Sequence, residues 1–222
     1  YLETFDSNTP LNSGSPGNPI ITLDNGWEND QNDALDWAPR SSPTNSSNTG
    51  PLIDHTTGSG NFIYVEDGFD SDSVNLLSPC INITDLCGPT LSFWYHSYNG
   101  SSPADSSSLH LDILYGGMWN MDVITPIGVE TDAWQQKIVD LSNFQDAIKI
   151  RFRVNNDNFT PYHDIAIDDV ELYGLGNMTT SVSTTDASCY GDCDGEATAI
   201  ATNGVAPITY LWDDPGTQTT ST

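Results

Sequence analysis

Two adjacent carboxylates, Asp168 and Asp169, interrupt a regular apolar alternation near the end of this chain. Ile165 and Ile167 keep one parity while Val170 and Leu172 keep the other. The period must therefore slip at the acidic pair, which predicts a β-bulge there. A bulge turns one carboxylate and one backbone carbonyl off the ladder. That is the donor mixture a hard cation such as Ca²⁺ takes, with ~6 to 8 oxygen ligands at about 2.3–2.6 Å. The competing assignment is that such carboxylates accept hydrogen bonds from loop amides, as Asp does in Asx-turns.

Four cysteines fall into two close pairs, Cys80/Cys87 and Cys189/Cys193. The pairing predicts two local disulfides and an oxidising compartment. Zinc is disfavoured, since no histidine lies beyond His163. Catalytic signatures are missing: there is no His-Glu-x-x-His helix, no Gly-x-Ser-x-Gly elbow and no phosphate loop followed by Lys. His163 beside Asp164 is a weak acid/base candidate. His110, between Leu109 and Leu111, is expected to face solvent or be half-buried. No catalytic residue is assigned, and the chain is read as non-enzymatic.

Aromatic residues make a better case for binding. Trp27 lies amid Asp24-Asn25-Gly26 and Glu28, Trp119 follows Gly116-Gly117, and Phe159 and Tyr162 follow the stretch Asn155-Asn156-Asp157-Asn158. Rings beside carboxylates and amides suit neutral sugars, which stack on π-faces and donate hydroxyl protons. Trp27, Trp119 and Tyr162 are the candidate ligand residues. The alternative is that they anchor loops. Trp94, His96 and Tyr98 share one strand face and Phe93 and Tyr95 the other, a pattern that also fits a central strand buried on both sides.

These groups need a scaffold, and the periodicity supplies one. Leu109, Leu111, Ile113 and Tyr115 alternate with period two. So do Ile148, Ile150, Phe152 and Val154, set against Lys149, Arg151 and Arg153 on the opposite face. No stretch carries a helical apolar stripe, and residues 1–60 are rich in turn-forming Asn, Ser, Gly and Pro. An all-β sandwich is expected.

The 222 residues include 31 acidic and 5 basic side chains, for a formal charge of −26. Such a field repels nucleic-acid phosphates and anionic lipid, and most of these carboxylates are read as solubilising. No apolar run approaches the ~20 residues of a membrane helix, so direct membrane insertion is not expected. The opening Tyr1-Leu2-Glu3 has no signal-like region, so any leader is expected to have been removed.

Asp54-His55-Thr56-Thr57-Gly58, Leu91-Ser92-Phe93-Trp94-Tyr95-His96 and Ile165-Ala166-Ile167-Asp168-Asp169-Val170, in that order, resemble the MAM domain. Asp36-Trp37, Tyr64-Val65-Glu66, Leu77-Ser78-Pro79 and Trp134 before Val139-Asp140-Leu141 are similar to that family as well. The resemblance implies a jelly-roll β-sandwich over residues 1–176, extracellular and accessory in role. It also implies a structural Ca²⁺ held by Asp6, Asp54 and Asp169, with Glu66 and Asp168 in reserve. Asp6 here stands where the family commonly has Glu.

After Gly174-Leu175-Gly176 the texture shifts to Thr, Ser, Ala, Asp and Gly, which places a boundary near Asn177. Cys189-Tyr190-Gly191-Asp192-Cys193-Asp194-Gly195 and Gly204-Val205-Ala206-Pro207-Ile208-Thr209-Tyr210-Leu211-Trp212 resemble the SprB repeat of gliding-bacterium surface adhesins. Residues 177–222 would then be a partial Ig-like repeat of a much longer exported protein. By this resemblance the parent uses type IX secretion, recognised through a C-terminal region outside this chain. The function expected is a calcium-stabilised adhesion or recognition module at the bacterial cell surface, for glycans or partner proteins. A carbohydrate-binding module of a secreted polysaccharide hydrolase is the first alternative. An accessory domain of a secreted metalloprotease is the second.

Overall fold

The computed structural model describes residues 1–12, 21–33, 35–66, 73–100, 107–155, 163–176, 178–191, 194–203 and 208–213. Tyr162, Phe159 and Cys193 lie outside the described residues. Among the described residues there is no helix. The strands are β1 (Leu2–Glu3), β2 (Glu28–Asn29), β3 (Ala38–Arg40), β4 (Phe62–Val65), β5 (Ser73–Leu77), β6 (Ile81–Asn82) and β7 (Leu86–Ser97). They continue as β8 (Ser108–Tyr115), β9 (Met118–Asn120), β10 (Gln135–Asp140), β11 (Ala147–Asn155), β12 (Ile165–Gly176), β13 (Thr179–Thr185) and β14 (Glu196–Thr202).

The chain forms two compact units, one from Tyr1–Thr84 with Thr90–Tyr173 and one from Asp85–Pro89 with Gly174–Thr222. Two six-stranded sheets make the β-sandwich. The first runs β10-β7-β12-β4-β3 with β1 on β12; the second runs β2-β5-β11-β8-β9 with β6 on β11. Aromatic rings join their inner faces. Phe93 of β7 meets Phe152 of β11 edge-on at 4.9 Å between centroids. Trp27 stacks on Phe152, and Phe5 meets Trp27 edge-on.

The period-two expectation for β8 and β11 holds on the inner side, where Leu109, Leu111, Ile113, Ile148, Ile150 and Phe152 are all buried. Each such side chain contributes about 1.5–3 kcal/mol by leaving water. On the outer side the expectation is corrected. Arg153 is buried rather than solvated, as is His110. Antiparallel register sets Arg151 opposite Asp112 and Arg153 opposite His110. Asp112, fully buried, sits between the two guanidinium groups: Arg151 Nη2 is 2.7 Å and Arg153 Nε 2.9 Å from its Oδ2. Burial pushes the Asp112 carboxyl up. The bonds from Arg153, the Asp122 amide and Arg151 more than offset this, leaving it below the ordinary carboxylate range. His110 is held between Ser108 Oγ at 2.8 Å and Asp122 Oδ1 at 2.6 Å.

β7 is an interior strand of its sheet, with Phe93 and His96, on opposite faces, both buried. On the outer face of that sheet Ala38, Phe62, Tyr64 and Ala166 form a small cluster against which Leu11, Ile21 and Trp134 pack. His163 and Asp164 are buried and anchor loops: His163 Nε2 lies 2.9 Å from Ser97 Oγ, and Asp164 Oδ2 accepts from Thr49 Oγ1 at 2.7 Å.

The cysteine expectation is also corrected. Cys80 and Cys87 are free thiols, not a disulfide. The chain changes sheets between them: β6, just after Cys80, pairs with β11, whereas Cys87 belongs to β7. Cys189 is likewise an exposed free thiol. The second unit contains the hairpin β13-β14, in antiparallel register from Thr179↔Thr202 to Thr185↔Glu196. Val182 and Ile200 of this hairpin are exposed.

Candidate functional site

The parity slip in β12 is real. Ile165, Ile167, Val170 and Leu172 are all buried, and Asp169 takes a left-handed φ of 46°. A left-handed residue inside a strand breaks the regular ladder, as the αL residue of a G1-type bulge does. The acidic pair lies where β12 changes partners, since Ile165–Ile167 pair with β4 and Val170–Glu171 pair with β1. β1 then leads into Phe5, a buried bulky residue that also takes a left-handed φ of 57°. Glu3 Oε1 holds that turn by accepting the Phe5 amide at 2.7 Å.

Opposite the bulge lies the loop 54–61. Asp54 Oδ2 accepts the Thr57 amide and Asp54 Oδ1 the Gly60 amide, each at 2.9 Å. Asp6 Oδ1 accepts the amide of Asn61 at 2.7 Å. Gly60 is required by this approach: a Cβ there would fall inside contact distance of Asp6 Oδ1 and stand 3.1 Å from Asp54 Oδ2. Asp168 Oδ2 accepts the His55 amide at 2.9 Å, and Asp169 Oδ2 meets both His55 Nδ1 and the Thr56 hydroxyl. The His55 ring in turn stacks on Trp94, with centroids 3.6 Å apart.

The structure therefore brings Asp6, Asp54, Asp168 and Asp169 around one loop, and the loop amides occupy many of their lone pairs. Glu66 does not join them. It is buried with Ser46 Oγ at 2.7 Å and Tyr64 Oη at 3.3 Å, in a group that includes Arg40. Among the described residues no three Asp, Glu, His or Cys side chains converge as a metal-binding group. Burial pushes the Asp168 carboxyl up to about 8, the charges of Asp169 and Asp54 adding to the shift. Burial raises Asp54 too, but the amides of Thr57 and Gly60 reverse the effect and hold it low. No Lys or Arg among the described residues pairs with these four carboxylates, and His55 is their one basic neighbour. The donor set is all oxygen, the type a hard cation such as Ca²⁺ takes, and Asp6, Asp54 and Asp168 also hold loop amides.

The expected sugar platform is corrected at Trp27. Its indole is 3% exposed, packed between Phe5 and Phe152, and its Nε1 donates to Tyr1 Oη at 2.7 Å. The turn at Asn25-Gly26, both left-handed, directs the following residue into the core. Trp119 stays half-buried on β9, with the Arg151 guanidinium 4.2 Å from its ring centroid. Sequence reasoning missed Gly60 and Asn61. The Thr57-Gly58-Ser59-Gly60 composition marked a turn but not what approached it.

Residues 22–177 match the family model described as MAM domain, meprin/A5/mu, and residues 181–217 match that of the SprB repeat. Neuropilin-1a of Danio rerio is 30% identical over 179 residues, covering 71% of this chain, which spans 18% of that protein's length. Among solved structures, the K1 cleaved adhesin domain of Lys-gingipain from Porphyromonas gingivalis W83 has a TM-score of 0.47 at 17% identity. It covers 79% of this chain and 98% of that domain. The C-terminal family 22 carbohydrate-binding module of Clostridium thermocellum Xyn10B has a TM-score of 0.43 at 11% identity, over 78% and 91% of the two chains.

Proposed function

The chain belongs to the MAM domain family, and from that premise we propose that it is a non-catalytic recognition module of a large exported surface protein, working in adhesion. The observation that carries this reading is the order of modules, a MAM domain followed directly by a SprB repeat. Both resemble pieces that exported proteins use to present binding surfaces. The setting proposed is the outer surface of a gliding bacterium that uses type IX secretion. The partners are surface glycans or proteins, and a charge of −26 disfavours nucleic acid and anionic lipid.

A structural Ca²⁺ is part of the proposal. Asp6, Asp54 and Asp169 would hold it, and its charge would offset both the burial of Asp168 and the repulsion it meets from Asp169 and Asp54. The ion would supply stability, not reactivity. The chain's own residues fix the site: Gly60 lets two carboxylates approach, and His55 and Thr56 orient Asp169.

Immobilised protein tested against intact bacterial surfaces and glycan-coated beads, with and without Ca²⁺, checks this reading. Saturable, Ca²⁺-dependent retention is expected. No retention on any surface would overturn it. The carbohydrate-module reading draws on Trp119, which unlike Trp27 remains at the surface, and loss of glycan binding in Trp119→Ala with cell binding intact would favour it.

A further inference from the structure

The outer face of the second sheet holds an ion-paired row that the junction at β12 does not use. Three of the chain's five basic residues, Lys149, Arg151 and Arg153, alternate along β11 on this face. Register sets Lys149 opposite Leu114, which in turn lies opposite Trp119 of the edge strand β9. Cross-strand partners share a face, so Trp119 stands on the same side as the guanidinium groups. Arg151 covers its ring and is fixed there: Nε donates to Asp112 Oδ2 at 2.9 Å, and Nη2 reaches that oxygen at 2.7 Å and Met121 Sδ at 3.0 Å. Asp122 closes the other end of the row. Its amide donates to Asp112 Oδ1 at 2.8 Å, while its Oδ1 meets Arg153 Nη2 at 2.8 Å and His110 Nδ1 at 2.6 Å. Its Oδ2 enters none of these bonds, on a side chain that is 44% exposed.

Stability does not require such a row. A buried carboxylate between two guanidinium groups bears a desolvation cost, and apolar side chains of similar volume often serve as well or better. What the charges add is orientation. One guanidinium is held over an indole that remains half-buried at the sheet edge, and a carboxylate is anchored by one oxygen with the other left unbonded. Among the described residues no second aromatic ring meets Trp119.

We propose that this row is where the module meets its ligand, a neutral glycan chain, with Trp119, Arg151 and Asp122 as the contacts. The proposal rests on the recognition reading and names the surface for it. A sugar ring lays its C–H face on the indole, the free Asp122 oxygen accepts hydroxyl protons, and Arg151 Nη1, outside the bonds above, donates to a hydroxyl or ring oxygen. The charges select against acidic polymers. Both guanidinium groups are already matched by Asp112 and Asp122, so a uronate or sulfate would meet the Asp122 carboxylate and the field of a chain of charge −26.

Affinity electrophoresis of the 222-residue protein through gels containing glucomannan, xylan, β-glucan or polygalacturonate tests this, alongside Trp119→Ala and Asp122→Asn checked for folding by circular dichroism. Expected is retardation by at least one neutral polymer, at least tenfold weaker in Trp119→Ala and in Asp122→Asn. Trp119 lies at the surface, so its variant decides the matter even if Asp122→Asn unfolds. Retardation by polygalacturonate alone, neutral binding undiminished in Trp119→Ala, or no retardation by any of the four polymers would overturn the proposal. Retention on intact bacterial surfaces then separates this failure from that of the recognition reading. Equal retention of parent and Trp119→Ala leaves a recognition module that binds elsewhere. Retention lost in Trp119→Ala and abolished by protease treatment of the cells makes the row a protein-docking surface, which also overturns the glycan proposal. No retention of the parent removes both readings.

Discussion

His55 Nδ1 lies 2.9 Å from Asp169 Oδ2, across 114 residues of sequence, while the same imidazole stacks 3.6 Å from Trp94. One ring thus ties the loop 54–61 to the bulge of β12 and to the face of β7. The arrangement fixes the carboxylate that the bulge turns out. It also explains why these three sequence segments occur together: each supplies one surface of a single junction.

Removal of divalent ions should loosen that junction. With EDTA the melting temperature is expected to fall relative to protein in millimolar Ca²⁺, because an ion bound to the native state stabilises it by mass action, about 2.7 kcal/mol at a hundredfold excess over Kd. Asp54→Asn or Asp169→Asn should abolish the difference. Calorimetric scans with superimposable curves in EDTA and Ca²⁺ would rule the ion out.

Gly60→Ala tests the close approach. The added methyl group would displace Asp6 and crowd Asp54, at a cost of about 1–3 kcal/mol, typical of overpacking. The Ca²⁺-induced rise in melting temperature should shrink in the same variant. Urea titration measures the first effect, and a stability equal to the parent would show that the loop accommodates a side chain.

Asp112→Ala removes the buried anion between Arg151 and Arg153, leaving Arg151 without its carboxylate and Arg153 with Asp122 alone. A loss of about 3–5 kcal/mol is expected, seen as a lower urea midpoint. Replacing the charges together with apolar groups should cost far less, so the triple variant Asp112→Leu, Arg151→Met, Arg153→Met is the informative control.

Acid sensitivity should report His96, which is 2% exposed with Nδ1 buried and without a donor or acceptor partner. Burial lowers its pKa, and the bond and charge of Asp132 offset this in part. The unfolded chain, with an imidazole near ~6.5, then binds the proton more readily than the native state. Stability is complete above that value and is lost as pH falls through the lower folded pKa. Melting curves between pH 7.5 and 5 should show this decline, and His96→Gln should flatten it.

Trp27→Ala and Trp119→Ala should separate core from surface. Trp27→Ala is expected to cost about 3–5 kcal/mol by opening a cavity between Phe5 and Phe152. Trp119→Ala should change stability far less, and only it bears on recognition. Thermal melts of both variants, paired with surface-binding assays, check the division.

The sequence by itself determined the fold class, the inward faces of β8 and β11, the bulge at Asp168-Asp169 and the succession of two modules. These depend on period and order, which a strand writes directly into its residues. Only the tertiary structure decided the rest. Trp27 turned inward because the left-handed Asn25-Gly26 turn aims it at Phe152, and Glu66 went to Tyr64 and Ser46 instead of the carboxylates. Arg153 and His110 were buried because strand pairing and the chain after β9 placed Asp112 and Asp122 beside them, and Cys80 and Cys87 are free thiols. Periodicity tells which face a side chain takes. Which partner waits on that face is set by strand pairing across long separations, where one residue of register exchanges a salt bridge for a bare charge.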